Sequence, residues 1–115
     1  MTGSSSTQRF KDSLWEITLT NDSKGRSDLG ARAAFDNGFT AVITCKEREH
    51  RRIADTYVEV RAPNGLLVHP HHRHFHELDE RVTVLSLAAR YMEHIKRTIE
   101  SNPEGYIAKE LLYPS

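Results

Sequence analysis

The sequence predicts an α+β domain: an antiparallel sheet of three or four strands packed by one long helix in the C-terminal half, with one or two short helices beside them. Three observations predict it. Apolar and polar residues alternate with period two in several stretches before residue 70. A Pro63-Asn64-Gly65 turn separates two of those stretches. Beyond Glu77 the apolar spacing changes to that of an amphipathic helix.

Each element follows from local pattern. The expectation for residues 1–8, which are polar and lack the apolar stretch of a signal peptide, is a frayed tail, with one domain over 9–115. In Ser13–Thr20, Trp15, Ile17 and Leu19 alternate with Glu16, Thr18 and Thr20, the pattern of a half-buried strand. Asn21–Arg26 is turn chemistry. Residues 28–37 admit two readings. In one, Ser27 caps a short helix from Asp28 to Asp36, closed by Gly38; two adjacent alanines favour this reading. In the other, Ala31–Phe35 is a strand and Asp36-Asn37-Gly38 a hairpin turn; Gly30, poor in a helix, favours this one. The helix is the stronger of the two.

Phe39–Lys46 is a strand with Phe39, Ala41, Ile43 and Cys45 on one face. Asp55–Ala62 is another, with Val58 and Val60 opposed to Tyr57, Glu59 and Arg61. Asn64-Gly65 suits a type I′ turn, returning the chain through a short strand at Leu66–Val68. A long helix is expected from Glu77 to Ser101 or Asn102, stopped by Pro103 and about 37 Å long. Leu78, Val82, Leu85, Ala89, Met92 and Ile99 form its stripe, widened by Val84, Ala88, Tyr91 and Ile95. So wide a stripe, on a helix longer than a short meander needs, points either to a partner or second subunit against it or to the C-terminal segment covering the excess. A short terminal helix is expected over Pro103–Leu112. Trp15, Phe35, Phe39 and Tyr57 are the expected core aromatics.

Composition narrows the function classes. The chain has 115 residues, 37% hydrophobic, with sixteen Lys and Arg against sixteen Asp and Glu. Zero net charge argues against a nucleic-acid binder relying on bulk positive charge, and no apolar run is long enough for a membrane helix. A single cysteine excludes an internal disulfide, which points to a reducing cytoplasm. Cys45, on an apolar strand face, reads as a small core residue rather than a nucleophile. No phosphate-binding glycine loop or nucleophile elbow is present, so the reading leans away from an enzyme.

Two segments carry candidate chemistry. Five of the seven histidines, His69, His71, His72, His74 and His76, lie within eight residues. Neutral imidazoles ligate zinc and other transition metals, so these five are the candidate metal ligands, although a solvated loop is the plainer use of such a segment. His74, His76 and Glu80 have a His-x-His-x3-Glu spacing that resembles a cupin metal motif. The flanking glycines are missing and Glu80 is expected on a helix, so the cupin reading is set aside, and no cofactor is expected. The second segment is Lys46-Glu-Arg-Glu-His-Arg-Arg52, where Arg48, Arg51 and Arg52, with Arg73, could meet a partner or a phosphate backbone. Tyr91 and Tyr106 are candidate interface anchors.

The function expected from the sequence is therefore a small non-enzymatic protein-interaction module. An accessory or inhibitor protein of bacterial or phage origin, which binds and blocks a macromolecular partner, fits this description. A homodimer is compatible with it. The alternatives are a metal-binding protein or metalloenzyme using the His69–His76 loop, and a nucleic-acid binder using the Lys46–Arg52 loop.

Overall fold

In the computed structural model, residues 6–12, 14–48, 53–67 and 73–101 are described. Six strands run in chain order: β1 (Ser6–Asp12), β2 (Trp15–Asn21), β3 (Ser27–Ala34), β4 (Thr40–Glu47), β5 (Ile53–Arg61) and β6 (Arg73–Glu77). One helix follows, α1 (Val84–Ser101). The strands form a single antiparallel meander, each paired with its sequence neighbours. The α+β class is as expected, with six strands in place of three or four.

Three of the connections share one turn. Asp22–Arg26, Phe35–Phe39 and Ala62–Leu66 each span five residues. The first residue's N–H donates to the fifth's carbonyl, and the fourth's N–H donates back to the first's carbonyl. The fourth residue is always glycine, Gly25, Gly38 and Gly65, with φ of 79°, 92° and 87°. This is a three-residue loop, a type I turn followed by a left-handed glycine. It replaces the type I′ turn expected at Asn64-Gly65. Pro63 stands at the second turn position, where its fixed φ suits type I. The return strand expected at Leu66–Val68 reduces to one bridge between Arg61 and Leu67, and Val68 lies outside the described residues.

The same turn decides residues 28–37. They form strand β3 and a hairpin, not the helix. Leu29, Ala31, Ala33 and Phe35 are buried, while Arg32 and Ala34 are exposed. Of the two adjacent alanines that suggested a helix, Ala33 is buried on the helix-bearing face and Ala34 is exposed. α1 crosses β3 and β4, where Ala31, Ala33 and Ala41 leave room for it against the sheet. Asn37 in the β3–β4 turn donates from Nδ2 to the Ile99 carbonyl at 3.2 Å, fastening the turn to the last helical turns.

α1 begins at Val84, seven residues later than expected. Asp79 accepts hydrogen bonds from the Arg81 and Val82 amides, both at 2.7 Å, and folds 79–82 into a side-chain-stabilised turn. Thr83 then caps the helix. Its hydroxyl accepts from the Ser86 amide, and the Ser86 hydroxyl accepts from the Thr83 amide. Glu77, Asp79 and Glu80, expected in the first helical turn, all precede the helix, and that turn carries no acid. At 18 residues α1 is about 27 Å long. Val84, Leu87, Ala88, Met92, Ile95 and Ile99 are buried against the sheet, whereas Leu85 and Ala89 face solvent. The stripe that suggested a partner is thus largely used by the chain's own sheet.

The core joins these helix residues to the inner sheet face, from Trp15 and Ile17 across Ile43 and Cys45 to Val58 and Val60. Trp15 meets Phe35 edge to face, with ring centroids 6.1 Å apart. Thr56 is a buried polar residue of this core, with its hydroxyl 3.6 Å from the Cys45 sulfur. Of the tail expected over 1–8, residues 6–8 are paired strand. The terminal helix expected over Pro103–Leu112 lies outside the described residues. Among the described residues, no helix is long and apolar enough to cross a membrane.

Candidate interaction face

One face of the sheet carries α1; the other does not. Register fixes which residues stand on the second face. Thr18, Gly30, Thr44 and Tyr57 form one row across β2 to β5, continued by Arg73. Glu16, Arg32, Val42 and Glu59 form the next. Thr20, Asp28, Lys46, Asp55 and Phe75 form a third. Tyr57, expected in the core, therefore belongs to the open face and is half-buried there.

Ion pairs organise this face. Arg32 donates to Glu16 at 2.9 Å directly across β2 and β3. Lys46 lies 3.8 Å from Asp28 directly across β3 and β4, and Arg61 lies 3.2 Å from Glu59 along β5. Arg48 reaches Asp55 at 3.5 Å. The two cross-strand pairs are exposed and contribute about 0–1 kcal/mol each. Their clearer role is to favour the observed register, since a one-residue slip would part both cross-strand pairs. Over Gly30, whose lack of a side chain leaves a depression, Arg9, Lys11, Glu16, Thr18, Arg32 and Val42 line a shallow groove of about 700 Å³.

The most distinctive part of the face is its β5–β6 corner. Phe75 is 58% exposed, the most exposed of the large apolar side chains on this face; Val42 and Ile53 are 39% and 36% exposed. The Arg48 guanidinium carbon sits 5.6 Å from the centre of the Phe75 ring, a cation–π arrangement. Two backbone constraints place these groups. The Arg48 amide donates to the Ile53 carbonyl at 2.8 Å, closing the β4–β5 connection, and Phe75 is paired with Asp55 in the β5–β6 ladder. Ile53 stands diagonally from Phe75 on the same face.

Not all the residues singled out in the sequence join this corner. Arg48 does, and the backbone register puts Arg73 opposite Tyr57, one position along. Tyr91 is half-buried, and its hydroxyl lies 2.9 Å from His76 Nε2, with the rings edge to face at 6.0 Å. Burial raises the Tyr91 phenol above its ordinary pKa. Arg51, Arg52, Tyr106, His69, His71 and His72 lie outside the described residues. His74 and His76, expected in a loop, belong to β6, where the register pairs them with Thr56 and Ala54. Among the described residues, no group of three or more His, Cys, Asp or Glu side chains is placed to hold a metal ion.

The polar cleft at the end of β4 is lined by Thr20, Asp22, Arg26, Ser27, Asp28, Lys46, Glu47 and Arg48. Its carboxylates are engaged locally. Asp22 holds Arg26, Asp28 faces Lys46, and Glu47 accepts the Ser27 amide at 3.2 Å. Hydrogen bonds from the Arg26 amide and side chain and the Lys24 amide keep the Asp22 carboxyl below the usual carboxylate range.

Sequence reasoning missed Phe75, Ile53 and Val42. Arg73-His74-Phe75-His76-Glu77 has no apolar–polar alternation to mark a strand, and the neighbouring Pro70 and the density of histidine favoured a loop. No protein-family model, curated protein or solved structure matches the chain.

Proposed function

We propose that this chain is a small non-enzymatic protein-interaction module that works by covering a surface on a macromolecular partner, with the open sheet face as its contact surface. The observation that carries the proposal is the β5–β6 corner, where an exposed phenylalanine lies under an arginine, flanked by Ile53 and Tyr57. An exposed aromatic beside an arginine on a polar surface is the composition of an interface hot spot. The surrounding ion pairs suit a polar rim that sets orientation more than affinity. The contact surface thus moves from the helix stripe, which is occupied, to the sheet.

The test is comparative capture. A lysate of the native host is passed over immobilised wild-type chain, F75A and the helix-surface variant L85A. The proposal expects a species retained by the wild type and L85A and lost from F75A. A species retained equally by all three, or lost only from L85A, contradicts it. Nucleic acid is the second reading, favoured by Phe75 and Tyr57 standing beside Arg48 and Lys46 on an open sheet, where bases could stack. It predicts binding that weakens steeply with salt. The pairing of Lys46 with Asp28 and of Arg48 with Asp55 weighs against it.

A further inference from the structure

The two edges of the sheet differ in what they offer a second copy of the chain. Among the described residues, β1 and β6 each have a strand neighbour on one side only, so each presents a row of backbone donors and acceptors not used by the described sheet. β6 reads Arg73-His74-Phe75-His76-Glu77. Turned about a two-fold axis through Phe75, this strand is complementary to itself when antiparallel. Arg73 of each copy falls opposite Glu77 of the other, Phe75 opposite its counterpart, and His74 opposite His76. β1 reads Ser6-Thr7-Gln8-Arg9-Phe10-Lys11-Asp12 and, turned about an axis through any of its residues, never sets opposite charges against each other. An axis through Phe10 sets Arg9 against Lys11 twice, and one through Arg9 sets that cation against itself. Like charges directly opposite are unfavourable in a ladder, whereas opposite charges and aromatic pairs favour it.

We propose that the chain forms a two-fold dimer by antiparallel pairing of β6 with β6 of a second copy, joining two six-stranded sheets into one. The dimer sets the two Phe75 rings side by side on the open face, each beside its own Arg48, and so doubles the apolar corner. α1 packs mainly over β3 and β4 and meets β6 through Tyr91 and His76 on the helix-bearing face. The inference stands independently of the partner reading, because it concerns the strand edge and the oligomeric state alone.

Sedimentation equilibrium of the full chain across concentration tests it. The wild type is expected to dimerise. R73E and E77R, each alone, set like charges opposite twice and weaken the dimer roughly tenfold or more. Mixing the two variants restores complementarity at both pairs and yields a heterodimer. A monomeric wild type, single variants that dimerise like the wild type, or folded variants that fail to pair when mixed would each overturn the proposal. Should a charge variant lose its fold, F75C decides. Directly opposed strand positions lie about 4.5–5.5 Å apart at Cα, within disulfide range. A mild oxidant is then expected to cross-link F75C chains, with I53C as the uncross-linked control. No cross-link at F75C, or an equal one at I53C, overturns the proposal.

Discussion

The Arg48 guanidinium lies 5.6 Å above the Phe75 ring, on the sheet face opposite the helix. The residues are 27 positions apart in sequence, and the β4–β5 and β5–β6 pairings bring them together. Because both groups are largely exposed, their contact contributes little to folding, and a surface substitution there falls within about 0.5 kcal/mol. F75A is therefore expected to leave the thermal midpoint within a few degrees of wild type. By contrast, I95A, at a fully buried helix position, is expected to cost about 2–5 kcal/mol. Differential scanning calorimetry of the two variants checks both.

The glycines at positions 38 and 30 predict opposite outcomes. Gly38 has φ of +92°, and a Cβ there would stand 2.9 Å from the Pro63 Cβ. G38A is expected to destabilise by about 1–3 kcal/mol. Gly30 lies within β3 with nothing within 4 Å of an added Cβ, so G30A is expected to stabilise by about 0.5 kcal/mol through the unfolded chain. Urea unfolding of both variants compares them directly.

Cys45 is fully buried beside Thr56, and burial pushes its thiol pKa up. A thiol that is both inaccessible and protonated reacts slowly. Ellman's reagent at pH 8 is expected to leave the native chain essentially unmodified and to titrate one thiol in denaturant. Rapid native reaction would show that the β4–β5 region opens.

Acid sensitivity follows from Asp79 and Asp22. The Val82 and Arg81 amides hold the Asp79 carboxyl below its ordinary pKa, and the Arg26 and Lys24 amides do the same for Asp22. A carboxyl whose folded value is depressed contributes stability that is present above its unfolded value and lost as pH falls through the folded one. The thermal midpoint is therefore expected to drop below about pH 4. D79N and D22N, which keep a side-chain acceptor without the charge, are expected to flatten that drop.

The parts of the fold legible in the sequence are those where a single rule decided. β2, β4 and β5 show clean alternation, and Cys45 falls on the buried side of β4 as its neighbours required. β3 was obscured because the small residues that make room for α1 are also good helix formers. The helix start was obscured because an acidic segment before an apolar run looks like a first turn. The hydrogen bonds of Asp79 instead fold that segment into a turn, and Thr83 and Ser86 set the true cap. Of the candidate site, Arg48 was legible from charge alone. Phe75 was not, because its exposure depends on the long-range pairing of β6 with β5.

The most direct measurement of the central claim is the affinity of the captured partner for three purified chains, by isothermal calorimetry. An open-face interface predicts that F75A binds at least about tenfold more weakly than wild type, and that L85A binds within about twofold. Full affinity in F75A with loss in L85A would place the interface on the helix and contradict the account.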